Sequence, residues 1–293
     1  MAVNELVIGV DIGTASSKGV LVDARGTVLA RASRAHEVST PHPGWVEHDA
    51  ETVWWRDFLA ITRELVGAAD GRALVGLGVS GIGPTLLPAD SAARPLRPAI
   101  LYGVDTRAGR QITELTEELG EQAILARGGS VLTSQAVGPK IRWLAENEPE
   151  TYGRTDMLLM CSSYLVHRLT GRYVLDHHSA SQATPLYDLT AREWATDWAA
   201  AVAPGITLPE LRWPTEVAGT VTIVSDVTGV EQQVAAETAG ACLGDAMLAA
   251  GAVGLVDDTG AWNPVVDTVR PDPDRAPATR ATTATIGCCM SPQ

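Results

Sequence analysis

The sequence predicts an α/β fold, and three observations carry that prediction. Its 293 residues are 45% hydrophobic and 19% charged, the balance of a chain that buries a core. Residues 6–35 read as three short strands separated by small-residue turns. From Ala50 to Trp213, helix-period and strand-period segments then alternate, the pattern of mixed layers around a sheet.

The elements follow in order. Leu6 to Ile12, Lys18 to Val22 and Val28 to Ala32 form an antiparallel meander, with a turn at Asp23 to Gly26. Ala50 to Val66 places Val53, Trp54, Phe58, Ile61 and Leu65 near helical spacing, and Val75 to Ser80 is a strand that runs into the glycine-rich Gly81 to Pro84. Thr85 to Pro88 and Pro98 to Tyr102 flank a turn, and Asp105 is placed to cap a helix ending near Gly120. Pro139 opens a helix that stops before Pro149. Asp156 to Met160 reads as a strand, and Ser162 caps a helix over 163–169 that Gly171 ends. Pro214 and Gly219 mark a boundary, so the first domain spans 1–222. Residues from Arg270 on are rich in Pro, Asp, Thr and Ala without periodicity, and 270–293 reads as a disordered tail.

Charge and composition exclude several function classes. A formal net charge of −13 repels a phosphate backbone, so no nucleic-acid partner is expected. The longest apolar stretch, Ala239 to Val256, carries Asp245 and is mostly Ala and Gly, so no membrane span is expected. Glu5 and Asp11 stand where a secretory leader would be basic and then apolar, and the expected location is cytoplasmic. Cys161, Cys242, Cys288 and Cys289 lack paired metal spacing and read as reduced. His177 and His178, adjacent on an expected strand, point to opposite faces and do not chelate one ion.

Two segments carry candidate chemistry. In Asp11-Ile12-Gly13-Thr14-Ala15-Ser16-Ser17-Lys18, a strand enters a turn of small residues and returns as a strand. Gly13 lets backbone approach an anion, Thr14, Ser17 and Lys18 donate to phosphate oxygens, and Asp11 holds Mg²⁺ directly or through water. The plain alternative is a polar hairpin whose hydroxyls close their own turn. The chain's only two lysines are Lys18 and Lys140, so one lies beside this turn. In the second segment, Gly81, Ile82 and Gly83 leave room for a ligand at a strand end, and Tyr102, Asp105 and Arg107 follow, an acceptor and donor pair suited to sugar hydroxyls. The plain alternative there is a helix cap and a solvated arginine.

Taken together and in order, these segments resemble the FGGY carbohydrate kinases of the actin-like ATPase superfamily. The resemblance rests on the DIGT hairpin, Pro43-Gly44-Trp45-Val46-Glu47 before Trp54-Trp55, the SGIGPT turn at 80–85, ILYGVDTRA at 100–108, VGPKIRWL at 137–144, and Tyr164 to Gly171 with Asp176 and Ser179. Its 80–85 and 100–108 segments are most similar to the xylulose-kinase-like branch. The resemblance implies a ribonuclease-H-like lobe that binds a sugar, with ATP and Mg²⁺ held mainly by a second lobe. It also implies transfer of the ATP γ-phosphate to a hydroxyl of a pentulose or related sugar. The hairpin then serves the phosphates, while Gly81, Ile82, Gly83, Tyr102, Asp105 and Arg107 face the sugar.

Two departures from that family pattern stand out. The loop at Ile82 is short and lacks the Met-His pair of well-known xylulose kinases. After Thr222, residues 223–269 resemble the last part of the second lobe, so the segment expected between, with the catalytic base aspartate, the second phosphate loop and the adenosine turn, is missing. The alternative reading is therefore a catalytically inactive remnant. Glu237 to Val256, a helix expected to be apolar on several faces and short of cover, implies self-association.

Overall fold

A computed structural model of the protein describes residues 5–23, 26–214, 216–220, 232–235, 265–269 and 285–288. The sequence opens with the expected meander: β1 (Glu5–Ile12), β2 (Ser16–Asp23) and β3 (Val28–Ala35) pair antiparallel in order. A short β4 (Glu47–His48) precedes the Asp49 carboxylate, which accepts the Thr52 N–H at 2.7 Å. The chain then makes a π-helical turn (Ala50–Trp55) and continues as α1 (Arg56–Gly67). β5 (Ala73–Gly81) runs parallel to β1, a right setting for a strand reached through a helical crossover.

Beyond β5 the chain builds a second layer. It contains β6 (Leu87–Ala89), β7 (Ala99–Ile100), α2 (Gly109–Leu119), α3 (Glu121–Gly128), α4 (Val137–Asn147), α5 (Pro149–Tyr152) and β8 (Met157–Leu159). α6 (Cys161–Thr170) returns to the main sheet and stops at Gly171, whose φ of 72° is a left-handed cap. β9 (Val174–Asp176), α7 (His177–Ser181), β10 (Tyr187–Asp188), β11 (Glu193–Trp194), α8 (Thr196–Val202), β12 (Glu210–Arg212) and β13 (Val217–Thr220) follow, then β14 (Gln232–Ala235), β15 (Val265–Val269) and β16 (Thr285–Cys288). The main sheet has the order β13-β16-β5-β1-β2-β3.

Strand alternation divides this sheet into two unlike faces. Leu6, Ile8, Val10 and Ile12 of β1, Leu21 of β2 and Leu77 and Val79 of β5 are buried with Phe58, Ile61 and Leu65 of α1 and Tyr164, Leu165 and Leu169 of α6. Full burial of such side chains contributes about 1.5–3 kcal/mol each. On the opposite face Val7 is 41% and Val75 44% exposed. A second cluster, with Leu115, Ile124, Ile141, Leu144 and Leu186, fills the layer built by α2 to α4 and the segments after α6.

Several expectations are corrected. Asp105 does not cap α2, which starts at Gly109, because its carboxylate is engaged elsewhere. α6 begins at Cys161, before Ser162, and its first N–H is taken by Thr85 Oγ1 at 3.2 Å, a cap supplied from 76 residues away that local spacing does not reveal. His177 and His178 open a helical turn in place of a strand, and Asp176 caps it by accepting the Ser179 N–H at 2.8 Å. α3 was not foreseen. Within 270–293, expected to lack regular structure, Thr285–Cys288 forms a strand. It pairs parallel to β5 on the edge that β1 leaves free, using a short stretch with two β-branched residues and no proline. The helix expected over Glu237 to Val256 lies outside the described residues. Among those described, no helix is long and apolar enough to cross a membrane.

The contact between β2 and α1 yields a paired prediction. A Cβ on Gly19 would lie 2.4 Å from Ile61 Cγ2, whereas one on Gly67, at the end of α1, meets nothing within 4 Å. Gly19→Ala is expected to lose ~1–3 kcal/mol through overpacking. Gly67→Ala should gain about 0.5–1 kcal/mol from helix propensity and a less flexible unfolded chain. Urea unfolding of the two variants beside the parent checks both signs.

Candidate functional site

The C-terminal ends of β1 and β5 lie side by side and carry the first candidate segment. Cross-strand register puts Lys18 opposite Asp11 and Asp11 beside Ser80, so these three side chains form a row on the exposed face. Ser80 Oγ donates to Asp11 Oδ1 at 2.8 Å. Asp11 Oδ2 has no partner among the described residues, and both Asp11 and Lys18 are exposed.

Between β1 and β2 the turn over 13–16 is held tightly from the protein side. Gly13 N–H donates to Ser16 O at 3.1 Å, and a Cβ on Gly13 would sit 2.7 Å from that same oxygen. Only glycine fits there. Thr14 and Ala15 are exposed. Ser17, expected among the phosphate donors, is instead fully buried: its Oγ donates to Asp57 Oδ2 at 2.9 Å on the face covered by α1. The pleat that exposes Lys18 necessarily turns its neighbour inward.

Below the turn lies a group of residues that the sequence reading missed. His36 Nδ1 is 2.8 Å from Asp57 Oδ2, and its Nε2 is 3.1 Å from Gly13 O. His48 Nε2 is 3.1 Å from Thr14 O, while Trp54 Nε1–H donates to His48 Nδ1 at 3.0 Å. The two imidazoles meet edge to face, 5.1 Å between centroids. Since indole only donates, His48 is the neutral tautomer with its proton on Nε2. Burial, reinforced by the charge of His36, lowers its pKa to about 4. One signal of this group was present in the sequence: Asp57 stands in the apolar stripe Trp54, Phe58, Ile61 and Leu65, where a carboxylate needs partners.

The second candidate segment divides. Ile82 N–H donates to Ile12 O at 2.6 Å, which sets the Gly81-Ile82-Gly83 turn directly beside the Asp11 turn. A Cβ on Gly81 would lie 2.5 Å from Cys161 Sγ, so this glycine permits α6 to approach β5. Burial raises the Cys161 thiol pKa well above its ordinary value, which makes it inert. Ile82 is buried, Gly83 half-buried, and Tyr102 half-buried against the first core cluster.

Asp105 and Arg107 are not offered to a ligand as expected. Both side chains are fully buried, and Arg107 Nη2 donates to Asp105 Oδ2 at 2.7 Å. Asp105 Oδ2 also accepts the Val46 N–H at 2.7 Å, and Arg107 Nη1 lies 2.8 Å from Glu47 Oε1. The guanidinium sits 4.0 Å from the Trp45 ring centroid and 5.0 Å from that of Trp143. Their partners come from the 43–48 segment, and contact across that distance in sequence is invisible to local spacing. Lys140 is likewise interior: its ammonium donates to Ser134 O and Ala136 O, and burial lowers its pKa to about 8.

Known proteins match this chain in sequence and in fold. Residues 6–252 match the N-terminal domain of the FGGY family of carbohydrate kinases. The chain belongs to that family. The match continues past Thr222, the boundary expected for the first domain. A glycerol kinase of Nocardia farcinica is 34% identical over 226 residues, 74% of this chain and 44% of the relative. A xylulose kinase of Escherichia coli is 33% identical over 195 residues, 65% of this chain and 38% of the relative. The crystal structure of xylulose kinase from Rhodospirillum rubrum superposes with a TM-score of 0.69 at 34% identity, over 74% of this chain and 44% of that one. The FGGY chain thus spans less than half the length of these relatives, and it has the fold of the actin-like ATPases. Sugar and polyol kinases match at similar identity, so the likeness reaches the level of a carbohydrate kinase without separating the two.

Titration of His48 gives a second prediction. Its folded pKa is about 4 against 6.5 for the free side chain, so the unfolded chain binds more protons between those values. Stability is expected to fall as pH drops from 6.5 through 4. His48→Gln keeps a donor near Thr14 O but cannot titrate. Denaturant unfolding across this window should show a shallower loss for the variant than for the parent, with the slope difference assigning the effect to His48.

Proposed function

We propose that residues 6–252 are the sugar- and phosphate-receiving half of a kinase acting on a pentulose such as xylulose or on a related polyol. Because the match to the N-terminal domain runs on to residue 252, residues 223–252 are read with this half and not as a remnant of a second lobe. The observation that carries this reading is the exposed turn over 13–16 at the end of β1, with Asp11 beside it and the Gly81-Ile82-Gly83 turn adjoining. Phosphate oxygens would be received by the turn's outward amide groups, the Thr14 hydroxyl and Lys18. The sugar would lie along Gly81, Ile82, Gly83 and Tyr102. Asp105 and Arg107 support that surface from within, by fixing Val46 and Glu47.

Mg²⁺ fits the same corner. It is commonly held by one or two carboxylates together with substrate phosphates, and Asp11 offers an exposed carboxylate with a free oxygen. Among the described residues no cluster of three or more His, Cys, Asp and Glu could hold a metal without such phosphate ligands. When bound, the ion would neutralise charge on the phosphates of ATP. Reaction of this class joins a substrate hydroxyl oxygen to the γ-phosphorus, releases ADP and transfers the hydroxyl proton to a base, with catalysis supplied by positioning and electrostatics.

The chain spans less than half the length of the kinases it resembles, and the resemblance assigns ATP mainly to a second lobe. The reading for this chain by itself is therefore binding without efficient turnover. A coupled assay of ADP release with xylulose and with glycerol is expected to stay at the blank rate, while calorimetry with the same compounds detects binding of one of them. Turnover well above the blank that Asp11→Ala abolishes would contradict this and show that the chain is a competent kinase.

A further inference from the structure

The geometry points to His36 and His48 as positioning residues that aim the turn's amide groups outward, an inference that rests on the phosphate-receiving reading of residues 13–16. Each carbonyl in the turn has a donor on the protein side. Gly13 O meets His36 Nε2, Thr14 O meets His48 Nε2, Ala15 O accepts the His36 backbone N–H at 3.1 Å, and Ser16 O accepts the Gly13 N–H. The peptide bonds here are trans, and in a planar trans peptide the C=O and the following N–H point in opposite directions. Pulling Gly13 O and Thr14 O toward the imidazoles therefore drives the Thr14 and Ala15 N–H groups the other way. Neither N–H has an acceptor among the described residues, and both residues are exposed. Two adjacent, exposed and unpaired backbone donors suit an anion.

The two rings do this in different protonation states. His48 is neutral, as its indole partner requires. Both ring nitrogens of His36 face acceptors, a carboxylate and a carbonyl, so both carry protons and the ring is a cation paired with Asp57. Asp57 Oδ2 also accepts from Ser17, and its Oδ1 lies 3.1 Å from Arg56 Nη2. The charged groups around His36 are thus Asp57 and Arg56, with neutral His48 edge-on. A cationic donor binds a carbonyl more strongly than a neutral one and adds positive potential behind the turn.

Paired substitutions at His36 separate positioning from packing. His36→Gln places an amide nitrogen near Nε2, where it donates to Gly13 O. His36→Asn places one near Nδ1, keeps the Asp57 contact and leaves Gly13 O without its donor. Pyrophosphate is titrated into the ¹⁵N-labelled full chain while the Thr14 and Ala15 amide signals are followed. His36→Asn is expected to bind about tenfold more weakly than the parent, as for loss of one charge-assisted hydrogen bond, and His36→Gln to recover most of the affinity. Long-range ¹H–¹⁵N spectra should show His48 protonated on Nε2 alone and His36 on both nitrogens. Equal losses in the two variants, no loss in either, or a neutral His36 would overturn the inference. If pyrophosphate moves no signal even in the parent while the Thr14 and Ala15 amides still differ between the Asn and Gln variants, the phosphate reading fails and the positioning role stands.

Discussion

The pleat of the main sheet is the constraint on which the site depends. Successive side chains of a strand leave it in opposite directions, so once Val10 and Ile12 face α1 and α6, Asp11 must face outward. The same alternation in β2 sends Gly19 and Ser17 in and Lys18 out, and in β5 it buries Val79 and leaves Ser80 half-exposed. Core and candidate site are thus two sides of one set of strands. A slip of one residue in the β1–β2 register would turn Asp11 toward the apolar face and expose Ile12. The site needs no element of its own, because the hydrophobic face that holds α1 in place sets the position of every polar group opposite.

A second dependence runs through the segment over 43–48. Trp45 covers the Arg107 guanidinium, Val46 N–H binds Asp105, Glu47 contacts Arg97 and Arg107, and His48 reaches Thr14 O. Four consecutive residues, 45–48, therefore tie the 100–108 loop to the turn over 13–16. Buried ion pairs of this kind add little net stability over an apolar replacement, yet removing one partner strands the other at a cost of about 3–5 kcal/mol. Their effect is to fix geometry: the loop that carries Tyr102 cannot shift without uncoupling Asp105 from Val46.

The legible and illegible parts of this fold differ in physical range. Meander, α1 and β5 were readable because their periodicities are local, and the matched order of segments made the family readable from residues such as Asp11-Ile12-Gly13-Thr14. Ser17 was misassigned by treating a hydroxyl near a turn as available without applying the alternation that separates it from Lys18. Asp105 and Arg107 were misassigned because their partners, Val46 and Glu47, lie about sixty residues earlier. Thr85 as the cap of α6, and His36 and His48 beneath the turn, carry no spacing signal at all. Asp57 came nearest to betraying the buried network, as a carboxylate within an apolar helical stripe.

The exposed end of β1 is proposed to receive phosphate on the outward amides of Thr14 and Ala15, with Asp11 alongside. A crystal structure of the chain grown with Mg²⁺ and pyrophosphate tests it most directly. The expected result is a phosphate group within hydrogen-bond distance of both amides and the ion between it and Asp11. Phosphate bound reproducibly elsewhere, with the turn over 13–16 empty or closed on itself through the Thr14 hydroxyl, would contradict it.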